Sequence, residues 1–160
     1  MKIIFSLIAI LMLNKECDQK KMNSQNTLVS KEITPNQEES SIKFTYRAST
    51  RGFFEIIWIT KDTITISKDR DLIKTTSYSY PESDWQELML LLNDLDLKNL
   101  ENLEAPSKKF QYDGAAMATF KVNTDDEEFT TPGFDNGEPP KAIAAIVNKL
   151  LSIKNSVEKP

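Results

Sequence analysis

The stretch IKFTYRASTRGFFEIIWITKDTITISKDRDLIKTTSY, Ile42 to Tyr78, decides the fold. Its first part alternates: Ile42, Phe44 and Tyr46 stand against Lys43, Thr45 and Arg47. A period of two is what a strand shows when one face meets a core and the other meets water. Ser49-Thr50-Arg51-Gly52 then reads as a turn, and Phe53–Ile59 (FFEIIWI) carries apolar residues on both faces, as a strand in the middle of a sheet does. Lys61-Asp62 reverses the chain into Thr63–Ser67, where Ile64 and Ile66 share a face, and the charged turn Lys68-Asp69-Arg70-Asp71 leads to a fourth run, Leu72–Tyr78. Four consecutive strands joined by short polar turns predict an antiparallel meander.

Downstream of the meander the period changes. Pro81 suits a first helical turn, Glu82 and Asp84 suit its positive end, and Trp85, Leu88, Leu92 and Leu95 recur at helical spacing, with Met89 and Leu91 widening the stripe. Leu97, Leu100 and Leu103 continue the burial in a tighter turn. The stripe is expected to cover the sheet; the competing role is a docking surface for another protein. Ala115–Val122 alternates again, Asn123–Asp126 makes a hairpin, and Glu128–Thr131 returns. PGFDNGEPP (Pro132–Pro140) is expected to end the sheet and open the last helix, with Pro139 and Pro140 in its first turn. Ile143, Ile146, Val147, Leu150 and Leu151 form its buried stripe; Lys141, Asn148, Lys149 and Ser152 face water, and the chain frays from Asn155. The order ββββ-α-ββ-α predicts the α+β class: an antiparallel sheet of about six strands with two helices packed on one face.

Upstream, Met1-Lys2 precedes Ile3–Leu13, an apolar run interrupted only by Ser6. A membrane-spanning helix needs about 20 apolar residues, so this run reads as the h-region of a secretory signal peptide. Cys17, the only cysteine, stands where a bacterial lipoprotein receives its diacylglycerol, although Asn14, Lys15 and Glu16 depart from the usual small residues there. Lipidation at Cys17 uses the sole thiol, leaving none unpaired in an oxidising compartment. The expected organisation is a signal peptide over 1–16, a lipidated Cys17 and flexible tether over 17–41, one α+β domain over 42–154 and a frayed tail over 155–160. The tether is polar and has no aromatic residue, a composition that buries too little to offset ordering entropy. The expected address is the cell envelope, on an outer- or inner-membrane anchor facing periplasm or cell surface. The alternative is a plain cleaved signal and a secreted soluble chain.

Composition narrows the chemistry. The chain has 160 residues, a formal charge of −4, no histidine and one cysteine. That acidity disfavours nucleic acid. It also lacks the commonest general base and metal ligand, and an intrachain disulfide is excluded. No cofactor is expected, and no metal: Asp125-Asp126-Glu127-Glu128 lacks the spacing and glycine of an EF-hand loop and reads as a solvated hairpin tip. Three of the four glycines and four of the seven prolines fall between Ala105 and Pro140, marking two shaped loops. The candidate binding residues on them are Phe110, Tyr112, Asp113, Phe134, Asp135 and Asn136. The aromatics either line a recognition groove or pin the loops to the core. Asp113 and Asp135 either make turns beside their glycines or serve as an acid–base pair.

The lipoprotein-like start, the element order and the phrases NLEAPSKKFQYDGA (Asn102–Ala115) and TTPGFDNGEPP (Thr130–Pro140) resemble small lipoproteins of Bacteroidota-type bacteria over roughly Ile42 to Ile153. That family carries no assigned activity, so the resemblance implies fold and address. Two function classes follow. The first is a non-catalytic, membrane-anchored binding or accessory module of the envelope, with inhibitor or immunity proteins as one form, working on an envelope protein or ligand through its loops and sheet face. The second is an envelope hydrolase using Asp113 and Asp135.

Overall fold

The computed structural model describes residues 41–159, so the expected signal segment, Cys17 and the tether before Ser41 lie outside the described residues. Where the sequence alternates, the chain forms β1 (Lys43–Ser49), with Phe44, Tyr46 and Ala48 fully buried and Lys43 and Arg47 exposed. There follow β2 (Phe54–Ile59), β3 (Ile64–Ser67), β4 (Thr76–Tyr78), α1 (Glu82–Asn93), β5 (Met117–Asn123), β6 (Glu128–Thr130), β7 (Phe134–Asp135) and α2 (Ala144–Val157), with 3₁₀ turns at Leu97–Asn102, Lys109–Tyr112 and Lys141–Ile143. The strand order is β4-β3-β2-β1-β5-β6, every pairing is antiparallel, and β7 pairs with the start of β5. The fold is α+β, and β2 lies in the interior of the sheet as its two-sided apolarity predicts.

Register explains the core. Phe44 faces Ile59 on one side and Val122 on the other, and Tyr46 faces Ile57 and Phe120, so the inward residues of three strands form continuous cross-strand rows. Both helices cover this face: Trp85, Leu88 and Leu92 of α1 and Ile146, Val147, Leu150 and Ile153 of α2 join it in one cluster. The Phe44 ring sits 5.8 Å from Trp85 and 6.2 Å from Phe120. Each such side chain contributes about 1.5–3 kcal/mol on leaving water, which is what holds the two layers together. Lys149 of α2, expected to face water, reaches back to Asp84 (2.9 Å) and Glu87 of α1 and clips the helices to each other.

Four local departures have physical causes. The fourth strand is confined to Thr76–Tyr78 instead of starting at Leu72, because the Asp69 carboxylate accepts the backbone N–H groups of Asp71, Ile73 and Lys74 and removes them from any ladder. That loop holds Leu72 at φ 57° and leaves Ile73 82% exposed. A seventh strand, Phe134–Asp135, lies inside the stretch expected to end the sheet; at two residues it is too short to show periodicity. Gly133 precedes it at a close approach, since a Cβ there would lie 3.0 Å from Met117 Sδ. After Pro139 and Pro140 the chain makes a 3₁₀ turn, and α2 starts only at Ala144. Finally, α2 runs to Val157 in place of fraying from Asn155. Glu158, just beyond it, pairs with Lys68 (2.8 Å) and Lys154 (3.2 Å), and Lys154 pairs with the buried Glu55 of β2 (3.0 Å).

Candidate binding surface

The two shaped loops meet at one end of the sheet, and a carboxylate holds them. Asp135 is 1% exposed, and its oxygens accept the N–H groups of Phe110 (2.7 Å) and Lys109 (3.1 Å). Burial pushes its pKa up, but the Ser107 hydroxyl and those two N–H groups outweigh it and hold the carboxyl below its ordinary value. Its own carbonyl accepts from Glu138 N (2.8 Å), closing a turn in which Gly137 takes φ 85°, a conformation that glycine adopts at no steric cost. Asn136 continues the lock: its Oδ1 accepts the Tyr46 hydroxyl at 2.6 Å, and its N–H donates to Ala116 O at 2.8 Å. The Phe134 ring, fully buried, tilts against Tyr46 at 6.2 Å. Buried under this turn, the Tyr46 hydroxyl is pushed up to about 12; burial is the main cause, partly offset by the Gly137 N–H, and the Glu55 charge adds to it.

Of the six loop candidates, Phe134, Asp135 and Asn136 therefore serve the fold, and half-buried Phe110 packs near Gly133. Tyr112 is 84% exposed, and Asp113 caps its 3₁₀ turn at φ 58° on the surface. Asp135 is filled by donors from its own chain, while Asp113 occupies a left-handed turn position. No acid–base pair is assembled from them. Among the described residues, no group of three or more His, Cys, Asp or Glu is placed to hold a metal ion, and no helix is long and apolar enough to cross a membrane.

A different surface gathers polar side chains, several of them bonded to one another: the Thr65 and Ser77 hydroxyls meet at 2.8 Å, and Ser67 donates to Lys74 O at 2.7 Å. The helices cover one side of the sheet, and the other side carries the alternate residues of the same strands. Across it the register sets Ser77, Thr65, Trp58, Thr45, Lys121 and Thr130 in one row, running from β4 to β6. The next row holds Ser67, Ile56, Arg47 and Thr119. Between β2 and β6 lies a shallow hollow of about 350 Å³, lined by Thr45, Arg47, Trp58, Thr119 and Lys121 among others. Arg47 places its guanidinium 5.5 Å from the Phe54 ring centre, and Arg70 stands 5.4 Å from the same ring, so cations cover the apolar end of this face. Lys121 pairs with Glu128 (2.6 Å), which also accepts from Asn123 (2.9 Å). Hydrogen bonds from Lys121 and Asn123, with the charges of Lys121 and Lys43, hold the Glu128 carboxyl below its usual range. Alternation marks Lys43, Thr45, Arg47, Thr119 and Lys121 as outward residues, but nothing local assigns Trp58 to the same side.

A larger hollow, about 720 Å³, opens beside the β3–β4 loop and is lined by Ile66, Lys68, Ile73, Lys74, Tyr78 and Glu158 among others. Its Lys68 and Glu158 neutralise each other, and the Asp69 carboxylate in its wall is taken up by the loop backbone. No protein-family model matches the chain, and neither does any curated protein.

Proposed function

We propose that this chain is an exported lipoprotein, acylated at Cys17 and held to a membrane of the cell envelope by that anchor, whose α+β domain is a non-catalytic binding module. The address rests on the h-region at Ile3–Leu13 and on the sole cysteine four residues after it. The observation that supports a binding role is the side of the sheet that no helix or strand among the described residues covers, where Trp58 and Arg47 stand among hydroxyl side chains. Asp135, by contrast, spends its carboxylate on the backbone N–H groups of Lys109 and Phe110, which argues against its use as a catalytic acid or base.

Cys17→Ser tests the anchor. The wild-type protein is expected in the membrane fraction and the variant in the soluble fraction, because acyl chains bind bilayers in proportion to the methylenes they bury. A variant as membrane-bound as wild type ends the lipoprotein reading. The binding role is read separately: immobilised full-length protein should retain an envelope component that Arg47→Gln releases, and retention unchanged by that variant removes the sheet face from the proposal.

A further inference from the structure

We propose that the open face of the sheet binds a carboxylated polysaccharide, an inference that rests on the binding-module reading and gives it a ligand class. Three features converge. The first is shape. The row from Ser77 to Thr130 crosses six strands, and at about 4.8 Å per strand it makes a track of roughly 24 Å, suited to an extended chain of several sugar units.

The second is surface chemistry. Thr45 and Thr130 in the row and Thr119 beside it present hydroxyls that both donate and accept, Thr65 and Ser77 share one hydrogen bond (2.8 Å) that leaves further donor and acceptor capacity, and one aromatic residue, Trp58, stands half-buried in the row. One indole plane with hydroxyls around it matches a sugar ring, whose C–H faces stack and whose rim makes hydrogen bonds. A protein-binding surface would instead concentrate several aromatic and methionine residues beside its arginines and be poor in lysine and serine.

The third is charge. In a chain of net charge −4, this face carries Lys43, Arg47 and Lys121 against the single carboxylate of Glu128, already engaged by Lys121 and Asn123. Among the described residues Arg47 forms none of the ion pairs seen, which are made by Lys68, Lys109, Lys121, Lys149 and Lys154; its guanidinium rests on Phe54. Arg47 stands one inward-facing residue along β1 from Thr45, beside Trp58, so its fork is available to a ligand carboxylate while the ring stacks on the indole. Charge complementarity thus selects an acidic glycan over a neutral one.

The two tryptophans make the test direct, because Trp85 is 1% exposed in the core and an emission change on titration reports Trp58. Full-length protein in detergent is titrated with polygalacturonate, with neutral dextran and with poly-glutamate. Saturable perturbation by polygalacturonate, weakened by added salt and absent with dextran, is expected. Arg47→Gln should weaken binding about tenfold, as loss of one charge-assisted pair implies. Trp58→Phe should abolish the signal while keeping most of the affinity measured by co-sedimentation. Arg47 is exposed but rests on the Phe54 ring, so its variant should stay folded with at most a small drop in denaturation midpoint, and binding is compared well below that midpoint. Equal binding by wild type and Arg47→Gln overturns the inference. So does binding of poly-glutamate with no binding of polygalacturonate, an outcome that leaves the binding-module reading standing with an acidic protein as ligand. If no polymer binds, the saccharide falls alone, and retention of an envelope component by the immobilised protein decides the module reading independently.

Discussion

The two sides of this sheet are built from the same strands, one residue out of phase, and they have opposite characters. On the helix-covered side, Phe44, Tyr46, Phe120 and Val122 have no exposure. On the other side their immediate neighbours are Thr45, Arg47, Thr119 and Lys121. Alternation alone produces that contrast, because successive side chains of a strand point to opposite faces. The exceptions teach more. Glu55 lies on the covered side and is tolerated because Lys154 meets it at 3.0 Å. Phe54 and Ile56 lie on the open side, each only 8% exposed, and Arg47 and Arg70 both lie over the Phe54 ring. A face is therefore set by what covers each residue as well as by its parity along the strand.

Substitutions on the two sides should separate them sharply. The largest effect is expected in the covered layer: Phe120→Ala should cost about 3–5 kcal/mol and Leu88→Ala about 2–5 kcal/mol in chemical denaturation. Unchanged midpoints would show that α1 is a docking helix and not a cover. Lys154→Met leaves the Glu55 charge buried without its partner, and a loss of about 1–3 kcal/mol is expected, part of it recovered by adding Glu55→Gln. Full additivity of the two variants would mean that the pair is not coupled.

Titration probes the same contrast. Since the Tyr46 pKa is raised to about 12, its contribution to stability is intact below the unfolded value of about 10 and is lost as the pH rises from there toward 12. Tyr80, half-buried and donating to Thr60 O, is shifted upward too, chiefly by desolvation, and adds to this alkaline loss. Tyr46→Phe should flatten the alkaline limb while costing about 1 kcal/mol at neutral pH through the bond to Asn136. An alkaline limb as steep as wild type would remove Tyr46 from that role. For Asp135 the sign reverses: its pKa is depressed, so its contribution is full above about 3.9 and disappears as the pH falls through the native value. Asp135→Asn should be less stable at neutral pH and lose less on acidification. The smallest effect belongs to the open side, where Thr119→Ala should stay within about 0.5 kcal/mol of wild type. A larger loss there would mean that the face is covered after all.

The fold was legible wherever periodicity ran long enough. Phe44-Tyr46 and Trp85-Leu88-Leu92 announce their buried faces because a strand or helix repeats its environment over several residues. β7 was not legible, since two residues carry no period, and the start of β4 was misread because the Asp69 side chain, invisible to any apolar pattern, claims three backbone amides. The loop candidates divide in the same way. Phe110, Asp113 and Asp135 were recognisable as shaping residues from the glycines and prolines around them, but Tyr46, the central-strand anchor of Asn136, lies 90 positions earlier in the chain.

By itself, then, the amino-acid order determined the two main helices and the longer strands, which residues turn inward where a strand alternates, and the expectation of an exported and anchored chain. These are properties of neighbouring residues, fixed by backbone periodicity and by runs of apolar side chains. Only the tertiary structure decided that Asp135 ties two loops instead of offering a free carboxylate, and that Glu55 has a partner in Lys154. It also decided that Trp58, flanked by Ile57 and Ile59, joins Thr45 and Lys121 on the uncovered side. Each of these depends on which helix, turn or strand lies beside which, and for Trp58 on the register of the strands; such distances are set by the packed fold as a whole, not by any one element's sequence.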